Sequence, residues 1–256
     1  ITHVNGKVDP IDDINTINLE LVLADLEAVE KRYATTEKKA KQAKDKDAAA
    51  EFEVLAKLKP VLEEGKPARS IDWNEDEQKI VRGFFLLTSK PVLYVANVAE
   101  DDMADPEASK YFQQIKEYAA AENADVIGIS ARAEEELAGM DDEDKAELME
   151  LQGITEPGLN RLIRSAYHLL DLRTFFTAGG KETRAWTFRA GMKAPQVAGV
   201  IHSDFERGFI RAEVVSYDNL VEQGSENAAK EKGLVRSEGK DYVVQDGDVI
   251  LFRFNV

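Results

Sequence analysis

Pro91-Val92-Leu93-Tyr94-Val95-Ala96 runs directly into Asn97-Val98-Ala99-Glu100, and this stretch decides how the chain is read. Its first six residues carry no charge and do not alternate polar with apolar, as expected of a strand buried on both faces. A helix near Pro106 to Ala121 follows, then a second apolar strand, Val126-Ile127-Gly128-Ile129. Asn74 to Leu87 reads as a helix preceding both. Apolar strands separated by helices predict a parallel sheet covered on both faces. Two strands are too few to close such a sheet, so the remaining strands are expected before residue 1. The opening residues, Ile1-Thr2-His3-Val4, lack an initiating Met and a signal-peptide pattern, which fits a truncated or processed start.

Asn97-Val98-Ala99-Glu100 occupies the position at which GTP-binding proteins carry N-K-x-D, the loop that reads the base. There the aspartate accepts hydrogen bonds from the guanine ring N–H and exocyclic amine, and the lysine stem packs on the purine. Here Glu100 is one methylene longer and Val98 supplies neither stem nor charge, so weak guanine preference is expected. The backbone around Val98 and the Asn97 amide are then free to read adenine's amine and ring nitrogen. The second strand ends in Ser130-Ala131-Arg132, matching the S-A-[KR] loop whose backbone contacts the base in such proteins. The alternative is two ordinary strand-end loops. Phosphates call for G-x-x-x-x-G-K-[ST]. None of the pairs Gly6-Lys7, Gly65-Lys66, Gly180-Lys181 and Gly239-Lys240 is followed by Ser or Thr, and Thr177-Ala178-Gly179-Gly180-Lys181 reads as a plain turn.

Composition bounds the rest. The 256 residues, 43% of them hydrophobic, suffice for one to three domains with a substantial core. No apolar run is long enough to span a membrane. With 49 acidic and 33 basic residues the net charge of −16 opposes nonspecific nucleic-acid binding over the whole surface, though a local basic face can still bind RNA. Sequence-specific DNA reading is not expected. Zero cysteines excludes disulfides and thiolate chemistry, and His3, His168 and His202 are too scattered for a metal cluster. The cytoplasm is the default location.

Residues 11 to 64 turn rich in Ala, Glu, Lys and Leu. Leu19, Val22, Leu26, Val29 and Tyr33 form one helical seam and Phe52, Leu55, Leu58 and Leu62 a second, with a charged stretch from Glu37 to Asp47 between them. This predicts an antiparallel α-hairpin, stopped at Gly65-Lys66-Pro67. Lys38, Lys39, Lys41, Lys44 and Lys46 near its tip read either as a contact for RNA or an acidic partner, or as ordinary solvated charge. After Asp141-Asp142-Glu143-Asp144 come two helical stretches, the second from Glu156 to Leu170. Beyond Asp171, Arg173–Thr177 and Thr183–Phe188 alternate as a hairpin. Helices near Ala194–Phe205 and Asn219–Lys232, a strand Arg211–Tyr217, and paired strands Tyr242–Val244 and Val249–Phe254 complete a β-grasp pattern. Trp186 and Phe188 read as core, and Asp204, Glu206 and Glu213 as surface charge.

These residues, together with Val4-Asn5-Gly6-Lys7-Val8-Asp9-Pro10, Arg184-Ala185-Trp186-Thr187, Ile201-His202-Ser203-Asp204-Phe205-Glu206-Arg207-Gly208 and Asp246-Gly247-Asp248, resemble the YchF family of Obg-like ATPases along essentially the whole chain. The resemblance implies an α/β multidomain protein. Residues 1–15 and 70–170 would be the remainder of a GTPase-like nucleotide domain, 16–69 an inserted antiparallel coiled-coil hairpin, and 171–256 a TGS domain of β-grasp type. It implies binding and hydrolysis of ATP in preference to GTP with Mg²⁺, and a cytosolic, ribosome-associated role. Asn97, Val98, Glu100, Ser130 and Ala131 would contact the nucleotide, while the P-loop and metal ligands would precede this chain. By register His3 stands where the family places a histidine considered to orient the attacking water; it is that group or a loop histidine without a role. His202 would be structural or interfacial. A non-enzymatic RNA- or protein-binding module remains the competing reading.

Overall fold

Asp9 starts the first long helix: its carboxylate accepts the Asp12 N–H at 3.2 Å, and Pro10 takes the first helical position, where no N–H is needed. This helix, α1 (Pro10–Gln42), is followed by α2 (Lys46–Glu63), whose N-terminus is capped by the Asp45 side chain. The computed structural model describes residues 6–42, 45–179 and 182–255, so His3, Lys44 and Lys181 lie outside the described residues. The described residues up to Leu162 form one compact unit and those from Ile163 a second.

In the first unit α1 and α2 run antiparallel. Thr36 and Arg32 bond Glu51, Tyr33 packs on Phe52 with ring centroids 5.0 Å apart, and Glu30 lies 3.6 Å from Lys59. Val22, Val29, Leu55, Leu58 and Leu62 are buried between them as the seams predict, with Leu26 and Tyr33 packed alongside. Leu19 departs from the seam and is 50% exposed. The second helix stops where Gly65 adopts a φ of +76°, a conformation favouring glycine.

The same core continues into Ala68, Val81 and Leu86. Helix α3 (Glu75–Arg82) is shorter than the expected Asn74–Leu87: Asn74 forms a capping box with Glu77, and the chain leaves the helix at Gly83. Residues 84–88 are tied instead to α1. Asp25, 3% exposed, accepts bonds from the Leu87 and Thr88 N–H groups at 2.8 and 2.7 Å and from the Thr88 hydroxyl at 2.6 Å.

Strand β1 (Leu93–Asn97) comes next, then a short turn at Pro106–Ala108, helix α4 (Lys110–Ala121) and strand β2 (Asp125–Ile129). The two strands pair in parallel from Leu93 opposite Asp125 to Asn97 opposite Ile129. Ala96 and Val98 are buried with Phe112 and Ile115 of α4. Helix α5 (Ala131–Ala138) directly follows β2 and was not expected; it is eight residues long, and its opening Ser-Ala-Arg reads as a loop. Helices α6 (Asp142–Leu151) and α7 (Gly158–Leu169) match the two expected stretches.

The second unit holds a five-stranded mixed sheet. Strands β3 (Leu172–Ala178) and β4 (Thr183–Arg189) form the expected hairpin. The expected helix at 194–205 is broken at His202 into α8 (Ala194–Ile201) and α9 (Ser203–Arg207). Strand β5 (Phe209–Ser216) leads to α10 (Tyr217–Gln223) and α11 (Glu226–Glu231), a second expected helix split where Gly224 takes φ +72°. Strands β6 (Arg236–Glu238) and β7 (Asp248–Phe254) complete the order β4-β3-β7-β5-β6.

Tyr242–Val244 does not form the expected strand. Its backbone bonds Ala194 and Met192 at the start of α8, and the Tyr242 hydroxyl donates to Asp248 at 2.7 Å. Phe175, Phe188, Val197, Val214 and Phe252 fill the core under α8, with Trp186 packed against it. Val215, Ala229 and Val249 form a smaller cluster under α11.

Candidate functional site

Parallel pairing brings the ends of β1 and β2 side by side, and with them the loops expected to read a base. The Asn97 side-chain oxygen accepts the Ala131 N–H at 3.1 Å, joining two loops 34 positions apart. Ser130, 2% exposed, caps α5 by accepting the Ala133 N–H. One loop is thereby fixed by a helix cap and the other by a cross-loop bond.

Two expectations about free groups are corrected. The Val98 N–H is not free, because it donates to the Ile129 carbonyl at 3.0 Å and extends the strand pairing by one residue. The Asn97 amide oxygen is likewise engaged by Ala131, which makes it a latch between the loops. Val98, 9% exposed, packs into the core with Met103 and Phe112.

Glu100 opens a short turn, Glu100–Asp102, in which its carboxylate is half-buried. Its Oε1 lies 3.2 Å from the Arg132 Nε, yet that oxygen is shielded from solvent and accepts no hydrogen bond. The Arg132 charge beside it offsets the cost of shielding that oxygen from water. Arg132 is exposed and also pairs with Glu136 at 3.4 Å. Its part in the site was not singled out in the sequence; the only signal is its place in Ser130-Ala131-Arg132.

A cavity of about 540 Å³ runs along β1 beneath this loop, lined among others by Val8, Ile14, Tyr94, Val95, Asn97 and Phe112. Tyr94 donates to Glu122 at 3.0 Å, and Arg69 holds the same carboxylate at 2.9 Å. Burial first, and the neighbouring Glu122 charge with it, pushes the Tyr94 hydroxyl above its ordinary value, so it stays a neutral donor.

The other singled-out groups do not gather here. His202 caps α9, its Nδ1 accepting the Asp204 N–H at 3.2 Å, which is a structural task. Lys38, Lys39, Lys41 and Lys46 are exposed around the α1–α2 junction. Among the described residues no group of His, Asp and Glu is arranged to hold a metal ion.

Residues 172–255 match the family model YchF-GTPase_C, described as a protein of unknown function (DUF933). Over its full length the chain is 61% identical to the ribosome-binding ATPase YchF of Bacillus subtilis and spans 70% of that protein. It is 49% identical to the ribosome-binding ATPase YchF of Escherichia coli O157:H7, spanning 69% of it, and 42% identical to Obg-like ATPase 1 of Rattus norvegicus, spanning 65%. The solved structure of the Schizosaccharomyces pombe YchF GTPase matches 99% of this chain and 68% of its own, with a TM-score of 0.84 at 34% identity. A GTP-binding protein from Pyrococcus horikoshii, at 20% identity and a TM-score of 0.57 over 96% of this chain and 72% of its own, shares the fold alone. Parallel and mixed α/β sheets and named ATPase or GTPase relatives thus define the class, nucleotide-hydrolysing enzymes. Within it, the chain belongs to the YchF family of Obg-like ATPases.

Proposed function

We propose that this chain is the base-reading and partner-docking part of an ATP-driven switch that acts with the ribosome. The observation that carries the reading is the Asn97–Ala131 bond, which holds two strand-end loops together at one edge of the α/β unit. Preorganised loops of this kind bind a base without first having to be ordered.

The chemistry of Glu100 favours ATP. Glu100 is one methylene longer than the aspartate that matches the guanine ring N–H and exocyclic amine, and its Oε1 is already paired with Arg132 at 3.2 Å, which makes it a poor bidentate partner for guanine. Asn97, Val98, Ser130 and Ala131 would shape the pocket through backbone and packing. The residues present fit the base half of ATP, while the described residues offer no donor set for Mg²⁺. The phosphate-binding loop and metal ligands are assigned to the portion of the relatives that this chain does not match. Mg²⁺ there would neutralise charge developing on the transferred phosphoryl group. His3 is assigned the positioning of the attacking water.

In this reading residues 1–15 and 70–170 belong to the nucleotide domain, 16–69 form a coiled-coil insertion and 171–256 a TGS domain. The last two would meet ribosomal RNA or protein in the cytoplasm. Calorimetric titration of the full-length protein with ATP and GTP tests the reading. Tighter ATP binding is expected, with Glu100→Asp shifting the ratio toward GTP; failure to bind either nucleotide would leave the chain as a non-enzymatic binding module. Val98 is a poor second probe, because its burial makes a lysine there a folding defect.

A further inference from the structure

On one face of the second unit's sheet, β5 and β7 set three cross-strand pairs in a row: Val215 opposite Val249, Glu213 opposite Leu251, and Arg211 opposite Arg253. Alternate residues of a strand share a face, so the row passes from apolar to cationic over about 14 Å. At its apolar end is a pocket of about 260 Å³ lined by Val215, Leu220, Val235 and Val249 among others, with Glu213 and Glu226 also in its wall.

At the other end Glu213 accepts from the Arg211 guanidinium at 2.9 Å and from the Arg253 Nε and terminal nitrogen at 3.3 and 3.2 Å. Lys230 stands 3.9 Å from Glu213 and 3.1 Å from Glu226, so three cations face two carboxylates. Like charges directly opposite one another destabilise a sheet. A chain of net charge −16 nevertheless keeps two half-exposed arginines paired this way across Glu213, beside that pocket.

We propose that this face binds single-stranded RNA, with a phosphate bridging Arg211 and Arg253 and an adjoining unstacked base in the pocket. Guanidinium forks suit phosphate oxygens, and single strands offer bases free to leave the stack. An acidic protein surface would use the arginines and leave the pocket unfilled, which favours RNA. The assignment rests on the ribosome-directed reading above and gives its partner a chemical class and an address.

The test uses the full-length protein and a short fluorescein-labelled single-stranded RNA of mixed sequence, followed by anisotropy over a range of salt. Arg211→Thr with Arg253→Thr should weaken binding about tenfold or more and flatten the slope of log affinity against log salt by about 0.7, the share of the one bridged phosphate. Its thermal midpoint should fall modestly, since Glu213 loses both guanidinium partners, so binding is read well below that midpoint. Glu213→Gln should bind RNA more tightly. An abasic strand of equal length should bind several-fold more weakly than the RNA. Unchanged affinity and slope in the double variant would overturn the proposal, as would loss of ribosome binding with RNA affinity intact, which would identify an acidic protein partner. Equal binding of the abasic strand would overturn the pocket's role. ATP binding is measured in the same samples: its absence in the parent protein refutes the nucleotide reading, while the RNA arms still decide this one.

Discussion

Phe85 is 88% exposed and holds a φ of +55°, a left-handed conformation in which a bulky side chain crowds its own backbone. Its neighbours impose that conformation: Gly83 ends α3, and Asp25 fixes the backbone at Leu87 and Thr88. Asparagine tolerates the same dihedrals and gives up no buried contact here. Phe85→Asn should therefore stabilise the chain by about 1 kcal/mol, read as a higher urea midpoint at unchanged slope; an unchanged midpoint would mean that the loop carries no strain. Nothing in Phe84-Phe85-Leu86 announces the left-handed turn, because it is set by a carboxylate 62 positions away. The position of Asn97 is legible in the same limited sense. The sequence marks it as a loop residue after a strand, but its partner, Ala131, becomes visible only once the two strands pair.

Among the elements, the paired helices are the most legible, since seams spaced three and four residues apart can be buried together by a single antiparallel partner. Leu19 fits the spacing and is still exposed, because periodicity identifies a helix face and cannot say how far along it the partner reaches. Tyr242–Val244 is the converse case. It has strand composition, yet its backbone bonds are taken by residues 192 and 194, a choice settled by tertiary contacts alone. Across the helix pair Glu51 binds Arg32 and Thr36, and the Arg32 guanidinium above all holds its carboxyl below its ordinary value of 4.5. A depressed carboxylate stabilises the fold fully above that value, and the contribution is lost as pH falls through the lower folded value. Glu51→Gln should therefore reduce stability at neutral pH and flatten the acid limb below about pH 4.5 in denaturant titrations. Parallel acid limbs for the two proteins would assign the acid sensitivity to other carboxylates.

At the scale of the whole molecule, family membership rests on identity along the full chain, while the assignment of roles rests on a few atoms at the ends of β1 and β2. Much of that site is legible as pattern: an apolar strand, Asn-Val-Ala-Glu, then Ser-Ala-Arg after the next strand; the strand is not buried on both faces as expected, since Val95 is 48% exposed and Ala96 alone is buried. The site's internal bonding is not legible: the Val98 N–H and the Asn97 side-chain oxygen are taken up by Ile129 and Ala131, and Glu100 pairs with Arg132. The central claim is that the latched pair of loops reads ATP. The most direct measurement is the ATP dissociation constant of the full-length protein against its Asn97→Ala variant at matched thermal stability. Releasing the latch should weaken ATP binding by about tenfold, the equivalent of one hydrogen-bonded constraint of about 1.4 kcal/mol. Identical dissociation constants in the two proteins would contradict the claim and place base recognition elsewhere.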